Sequence, residues 1–137
     1  MRPINDAAGV WITDDEDRLL VVELVKKPYW VVPGGKAELG ETPAACALRE
    51  AREEIGVDVR LGDLVCVHHF FDYNVFVFTA TLPPRAVITI QPEEIKAHAW
   101  LPVEEAASRM DAPNAAMTLA IADARGRCVY LEHGKPL

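Results

Sequence analysis

The stretch from Gly34 to Val57, GGKAELGETPAACALREAREEIGV, constrains the fold of this chain more than any other. Thr42-Pro43 is a helix-start signal, because a Thr hydroxyl caps orphan amides and Pro is tolerated at the first helical position. Gly56 takes up the left-handed conformation that ends a helix. The predicted helix runs from Pro43 to Ile55. Ala44, Ala47, Leu48, Ala51 and Ile55 recur along it at helical spacing and should face a core, which places Glu50, Glu53 and Glu54 together on another side. Stability alone does not favour this pattern: like charges at Glu50 and Glu54 cost a helix about 0.2–0.5 kcal/mol, and acids near the C-terminal end oppose the dipole. A hard divalent cation would reverse the penalty. Mg2+ takes carboxylate oxygens together with waters and substrate phosphates, so a carboxylate face opposite a Gly-rich loop suits a metal–phosphate site. Arg49 lies one turn before Glu53 and can orient it. The alternative reading is a solvated helix face carrying an Arg49–Glu53 pair.

Spacing separates the two readings. Gly35, five residues, Glu41, seven residues and then Arg49-Glu50-Ala51-x-Glu53-Glu54-x-Gly56-Val57 resembles the Nudix box at every charged and glycine position. Ala51 stands where the family prefers a larger aliphatic residue. Trp30-Val31-Val32-Pro33-Gly34-Gly35 and Glu38 resemble the usual lead into the box. The core match covers the box itself, and a weaker resemblance in the flanking strand pattern extends over most of the chain.

The resemblance implies an α+β fold, the Nudix α/β/α sandwich with a central mixed sheet, a box helix at 43–55 and a C-terminal helix at 114–125, over a single domain at 1–137. It implies that Glu50, Glu53 and Glu54 hold Mg2+, or Mn2+ in its place, together with the Gly34 carbonyl. It also places Arg49 in the catalytic set. The general base by resemblance is Glu53, Glu54 or a loop acid such as Glu94, six residues before Trp100, with Glu93 as the competitor. Gly35, Glu38, Phe70, Tyr73 and Asn114 complete the expected substrate contacts.

Length and charge bound the rest. A chain of 137 residues fits one domain and buries roughly two-thirds of its unfolded surface. Half the residues are hydrophobic, yet no apolar run approaches a membrane span, and Met1 to Asp6 lacks the regions of a signal peptide, so a cytoplasmic protein without membrane contact is expected. The net charge of -7 argues against a nucleic-acid backbone as partner, since that binding needs clustered Lys and Arg. Small phosphorylated substrates remain compatible once metal neutralises them. Cys46, Cys66 and Cys128 are odd in number and widely spaced, which suggests buried thiols rather than disulfides or a zinc site.

In chain order, Ala8–Thr13 and Leu19–Val25 read as strands around a solvated acidic turn at 14–17. Lys26 and Lys27 follow in a loop that meets solvent or substrate phosphate, and Trp30 opens a short strand. Val57–Leu61 and Leu64–Phe71 are strand-like, Asp72-Tyr73-Asn74 a turn, and Val75–Leu82 the antiparallel return. His68-His69-Phe70-Phe71 alternates faces, so at most one histidine should touch substrate, and Phe70 or Phe71 could stack on a base or pack in the core. Ala86–Ile90 offers a further strand, Ile95–Leu101 the last main one, and Pro102 opens a short helix. Asn114 stands at the start of the final helix, as its cap or, by resemblance, as the residue that reads a purine edge. Cys128–Leu131 adds an edge strand.

The expected activity is Mg2+-dependent hydrolysis of a phosphoanhydride in a nucleoside-diphosphate-linked small molecule, first a (deoxy)nucleoside triphosphate cleaved to monophosphate and pyrophosphate. The alternatives are a dinucleoside polyphosphate, which Tyr73 at 16 residues past Val57 would suit, an ADP-ribose-like substrate, or a non-catalytic nucleotide-sensing module. A homodimer is compatible with the family.

Overall fold

A computed structural model describes residues 6–136. Its strands are β1 (Asp6–Trp11), β2 (Leu19–Leu24), β3 (Trp30–Val31), β4 (Gly34–Lys36), β5 (Arg60–Phe70), β6 (Tyr73–Thr81), β7 (Ile95–Leu101), β8 (Val129–Glu132) and β9 (Lys135–Pro136). The helices are α1 (Pro43–Ile55), α2 (Val103–Ser108) and α3 (Ala112–Ala124). A six-stranded sheet runs in the order β4-β1-β6-β5-β8-β9, and β3-β2-β7 form a second, three-stranded one. The larger sheet is mixed, because β1 with β6 and β5 with β8 are parallel pairs while its other pairs are antiparallel.

The expected α+β sandwich is present. One core layer packs Ala8, Val10, Leu20, Val22, Ala47, Ala51 and Ile55 between α1 and the strands. A second packs Val65, Cys66, Val77, Met117, Ile121 and Leu131 under α3, and a third joins Leu19 and Val21 to Ala106 and Met110. Helix α1 has the expected limits for the expected reasons. The Thr42 hydroxyl accepts from the Ala45 amide, Pro43 occupies the first turn, and Gly56 closes the helix at φ +68° with its amide on the Arg52 carbonyl.

Several sequence expectations need correction. The alternative reading of Glu50, Glu53 and Glu54 as a solvated face fails: Glu54 is 5% exposed, Glu50 is half-buried and only Glu53 of the three is exposed. The two strands expected on either side of residues 62–63 are one strand, β5, whose pairing shifts register between Leu61 and Leu64. There Asp63 donates its amide to the Thr79 hydroxyl, and a Cβ on Gly62 would stand 2.5 Å from that oxygen. The hairpin turn sits one residue early, on Phe71-Asp72, with Phe70 paired to Tyr73. Ala86–Ile90 is no strand. The Thr89 and Gln91 amides instead bond the Ile55 and Glu54 carbonyls, satisfying the C-terminal end of α1 from outside the helix. Helix α3 begins at Ala112 with Asp111 in the N-cap position, so Asn114 lies inside its first turn and is not the cap. β8 lies between β5 and β9 and leaves β9 at the edge. Cys46 and Cys66 are buried as expected, but Cys128 is exposed.

Candidate active site

The charged half of the site is built on α1 and β4. Glu54 reaches across to accept from the Gly34 amide at 2.8 Å, tying the last turn of α1 to the strand. Close approach explains both glycines here. A Cβ on Gly34 would stand 2.5 Å from the Ala8 carbonyl oxygen, and one on Gly35 would stand 2.5 Å from the Glu50 carboxyl carbon. Arg49 is the hub. Its Nε and Nη2 donate to the two Glu41 carboxylate oxygens at 2.8 and 3.0 Å, its Nη1 to Glu50 at 2.9 Å and Glu53 at 3.0 Å, and its Nη2 also to the Lys36 carbonyl at 2.9 Å. All five guanidinium N–H donors thereby have an acceptor, which fixes the rotamers of three carboxylates at once. Glu38 adds a looser contact to Arg49 at 3.7 Å.

Electrostatics divides the carboxylates into two groups. The Arg49 guanidinium holds Glu41 down to about 2, which keeps its carboxylate charged near neutral pH. Burial pushes Glu54 up to about 8; the Gly34 amide opposes the rise, and repulsion from Glu50, Glu94 and Glu53 adds to it. Glu50 is also raised, by burial first, with Arg49 pulling the other way and Glu53 and Glu94 repelling. The charge of Glu94 therefore acts on both Glu50 and Glu54, although its chain position is a loop whose carbonyl accepts the Val25 amide. Glu93 instead anchors its amide on the Gln91 side chain.

The donor set suits a hard divalent cation: carboxylate oxygens crowded enough to raise one another's proton affinity, beside a glycine strand. Among the described residues no three His, Cys, Asp or Glu side chains converge as a ready ligand set, and Arg49 Nη1 donates to both Glu50 and Glu53. A cation here would replace part of that pairing.

The other half is a cleft of about 350 Å³ between the β5–β6 hairpin, the β2–β3 loop and the start of α3. It brings together Phe70, Tyr73 and Asn114, three of the residues expected to meet substrate. A smaller hollow of about 190 Å³ shares Val31, Tyr73, Val75 and Asn114 with it and extends to Gly34, Gly35 and Lys36. The cleft thus runs on to the strand that carries the box glycines. Glu38 lines neither hollow.

Sequence reasoning did not single out Asp111 or Tyr29 as cleft residues, and it left Lys27 and Phe71 between two readings; all four line it. Asp111 accepts from Asn114 Nδ2 at 2.8 Å, so a carboxylate and an amide form one polar patch. The Asp-x-x-Asn spacing at a helix start was the available signal. His68 also lines the cleft, but its Nε2 accepts from the Gly134 amide at 2.8 Å, and burial with neighbouring His133 and His69 keeps it below the usual histidine range. His69 pairs with Asn74 at 2.9 Å, so of the two adjacent histidines only His68 borders the cleft.

Comparison with known proteins follows the same lines. The model of the NUDIX domain matches residues 3–121. A MutT-like protein of Streptomyces ambofaciens is 31% identical over 130 residues, 95% of this chain and 84% of that protein. An 8-oxo-dGTP diphosphatase of Proteus vulgaris is 36% identical over 80 residues, 54% of this chain and 70% of that protein. In fold, the chain resembles the MutT protein from Methanosarcina mazei Go1 with a TM-score of 0.74 at 17% identity, covering 92% of this chain and 98% of that one. With its box residues running from β4 through α1 to the Gly56 cap and its mixed-sheet sandwich, the chain belongs to the Nudix family of hydrolases.

Proposed function

We propose that the chain is a Mg2+-dependent pyrophosphohydrolase, with Mn2+ as substitute, whose substrate is a (deoxy)nucleoside triphosphate cleaved to monophosphate and pyrophosphate. The observation that carries this reading is the continuity of the aromatic cleft with the hollow along Gly34, Gly35 and Lys36, through Tyr73 and Asn114. A base in the cleft would direct its phosphates toward the box. The described residues lining the two hollows include only Lys27 and Lys36 as Lys or Arg, which suits one phosphate chain better than a base-free ring bearing many phosphates.

In this reading Glu50, Glu53 and Glu54, with the Gly34 carbonyl, would hold the metal. Bound Mg2+ would neutralise phosphate charge and make water a better nucleophile. Arg49 positions Glu50 and Glu53 by donating to both from one nitrogen. The proton of the attacking water would pass to Glu53, Glu54 or Glu94. Phe70 and Tyr73 would flank the base, and the Asp111–Asn114 patch would meet its polar edge. Tyr73 also supports a second reading, a dinucleoside polyphosphate, with its ring in the cleft wall. An ADP-ribose-like substrate is the third.

A panel of nucleotides incubated with Mg2+ tests these by product: pyrophosphate for the first, a nucleoside triphosphate for the second, two monophosphates for the third. Release of no phosphorus product from any of them would sink the enzyme reading and leave a nucleotide-sensing module.

A further inference from the structure

Phe71 sits where neither the fold nor the solvent favours a phenyl ring. It is the first of the two residues linking Phe70 to Tyr73, and its φ is +55°. The favoured two-residue hairpin loops need a positive φ at that position and so select Gly, Asn or Asp, because an L side chain there crowds the backbone. The other non-glycine residues with positive φ among the described ones are Asp17, Arg85, Arg125 and His133, all polar. Phe71 is also 69% exposed, although its ring centroid lies 4.3 Å from that of Phe70. Packing on Phe70 therefore accounts for a minor part of its surface. The exposed ring lines the cleft, beside Phe70 and Tyr73. A strained backbone position at a cleft rim points from geometry to function.

Resting on the nucleotide reading above, we infer that Phe71 is a substrate-binding residue that stacks on the heteroaromatic base and closes the cleft over it. The ligand class follows: a planar base, because Phe71 presents a largely exposed ring beside the rings of Phe70 and Tyr73, and base–aromatic stacking is tolerant of which base it meets. The strain at φ +55° is then the cost of holding the ring over the cleft instead of placing a glycine in the turn.

Two arms keep this inference separate from the reading it rests on. Turnover of the wild-type chain on the nucleotide panel tests the reading. Equilibrium binding of nucleoside monophosphates, and competition by inorganic tripolyphosphate, tests Phe71 whether or not the chain turns over. Phe71→Gly should weaken nucleoside monophosphate binding by about tenfold to a hundredfold, the range expected for one base–aromatic stack. Tripolyphosphate, which has no base, should compete as before, Phe71→Trp should bind like wild type, and the glycine variant should melt at an equal or higher temperature. Binding within twofold of wild type in Phe71→Gly, or an equal loss for tripolyphosphate, would overturn the assignment.

Discussion

The α1–β4 face and the aromatic cleft meet along Gly34 and Gly35 yet are built on opposite terms. On the first, Arg49 places all five of its donors on Glu41, Glu50, Glu53 and Lys36, and Glu54 is buried against the Gly34 amide. In the cleft, fixed polar contacts are sparse: Asn114 on Asp111, His68 on Gly134, and otherwise rings at the tilted or edge-on angles of Phe70 with Phe71 and with Tyr73. A charged site must be rigid, since each carboxylate works only at one place and in one protonation state, whereas a cleft for planar ligands needs surface more than bonds. In the proposed function the rigid half would set which bond breaks, and the open half whose.

The largest expected effect is at Glu53. Glu53→Gln should lower kcat by about a hundredfold to ten-thousandfold, the range for losing a positioned acid or base, with KM and melting temperature nearly unchanged. Steady-state kinetics beside a thermal melt checks this; a change in KM alone would mean that the two halves are not divided as described.

Gly35→Ala sharpens the division within the rigid half. The three heavy atoms nearest its new Cβ all belong to the Glu50 carboxylate, the end of a flexible side chain, so the carboxylate must move while the sheet stays. Activity should fall by about tenfold or more for a displaced ligand-positioning group, with stability held to within about 1 kcal/mol. Gly34→Ala is the contrast: its Cβ meets the Ala8 backbone, and urea denaturation should show a loss of about 1–3 kcal/mol from overpacking. Equal stability losses in the two variants would contradict the geometry.

The smallest expected effect belongs to the open half. Asn114→Ala removes the amide that pairs with Asp111, and should raise KM for nucleotides by about fivefold to tenfold, the worth of one hydrogen bond, while kcat is spared. Initial-rate measurements across substrate concentration read the split directly.

How much of this was legible beforehand differs between the halves for a physical reason. Helix α1 and its hub depend on local signals: Thr42 as cap, Gly56 as stop, and Arg49 one turn from Glu53 and next to Glu50. The burial of Glu54 was not legible, since it depends on Gly34 arriving from another strand twenty residues away. Ala86–Ile90 has strand-like residues, yet the open carbonyls at the end of α1 claim the neighbouring amides, a tertiary competition that periodicity cannot register. The cleft is assembled from Lys27 on the β2–β3 loop, Phe70, Phe71 and Tyr73 on the β5–β6 hairpin, and Asp111 and Asn114 at the start of α3, three elements far apart in sequence. Phe71 shows the limit most plainly: its ring was visible in the sequence, but its positive φ follows from a turn set one residue earlier than Asp72-Tyr73-Asn74 suggested.

In the proposed reaction the α1–β4 carboxylates, with a divalent cation, would cleave a phosphoanhydride of a nucleotide whose base lies in the cleft. Phosphorus NMR of a purine nucleoside triphosphate incubated with the chain tests it most directly, first with Mg2+, then with excess EDTA, then with Mg2+ restored. Pyrophosphate and nucleoside monophosphate signals should grow with Mg2+, stop with EDTA and resume on restoration. Unchanged triphosphate signals throughout, or hydrolysis that continues in EDTA, would contradict it.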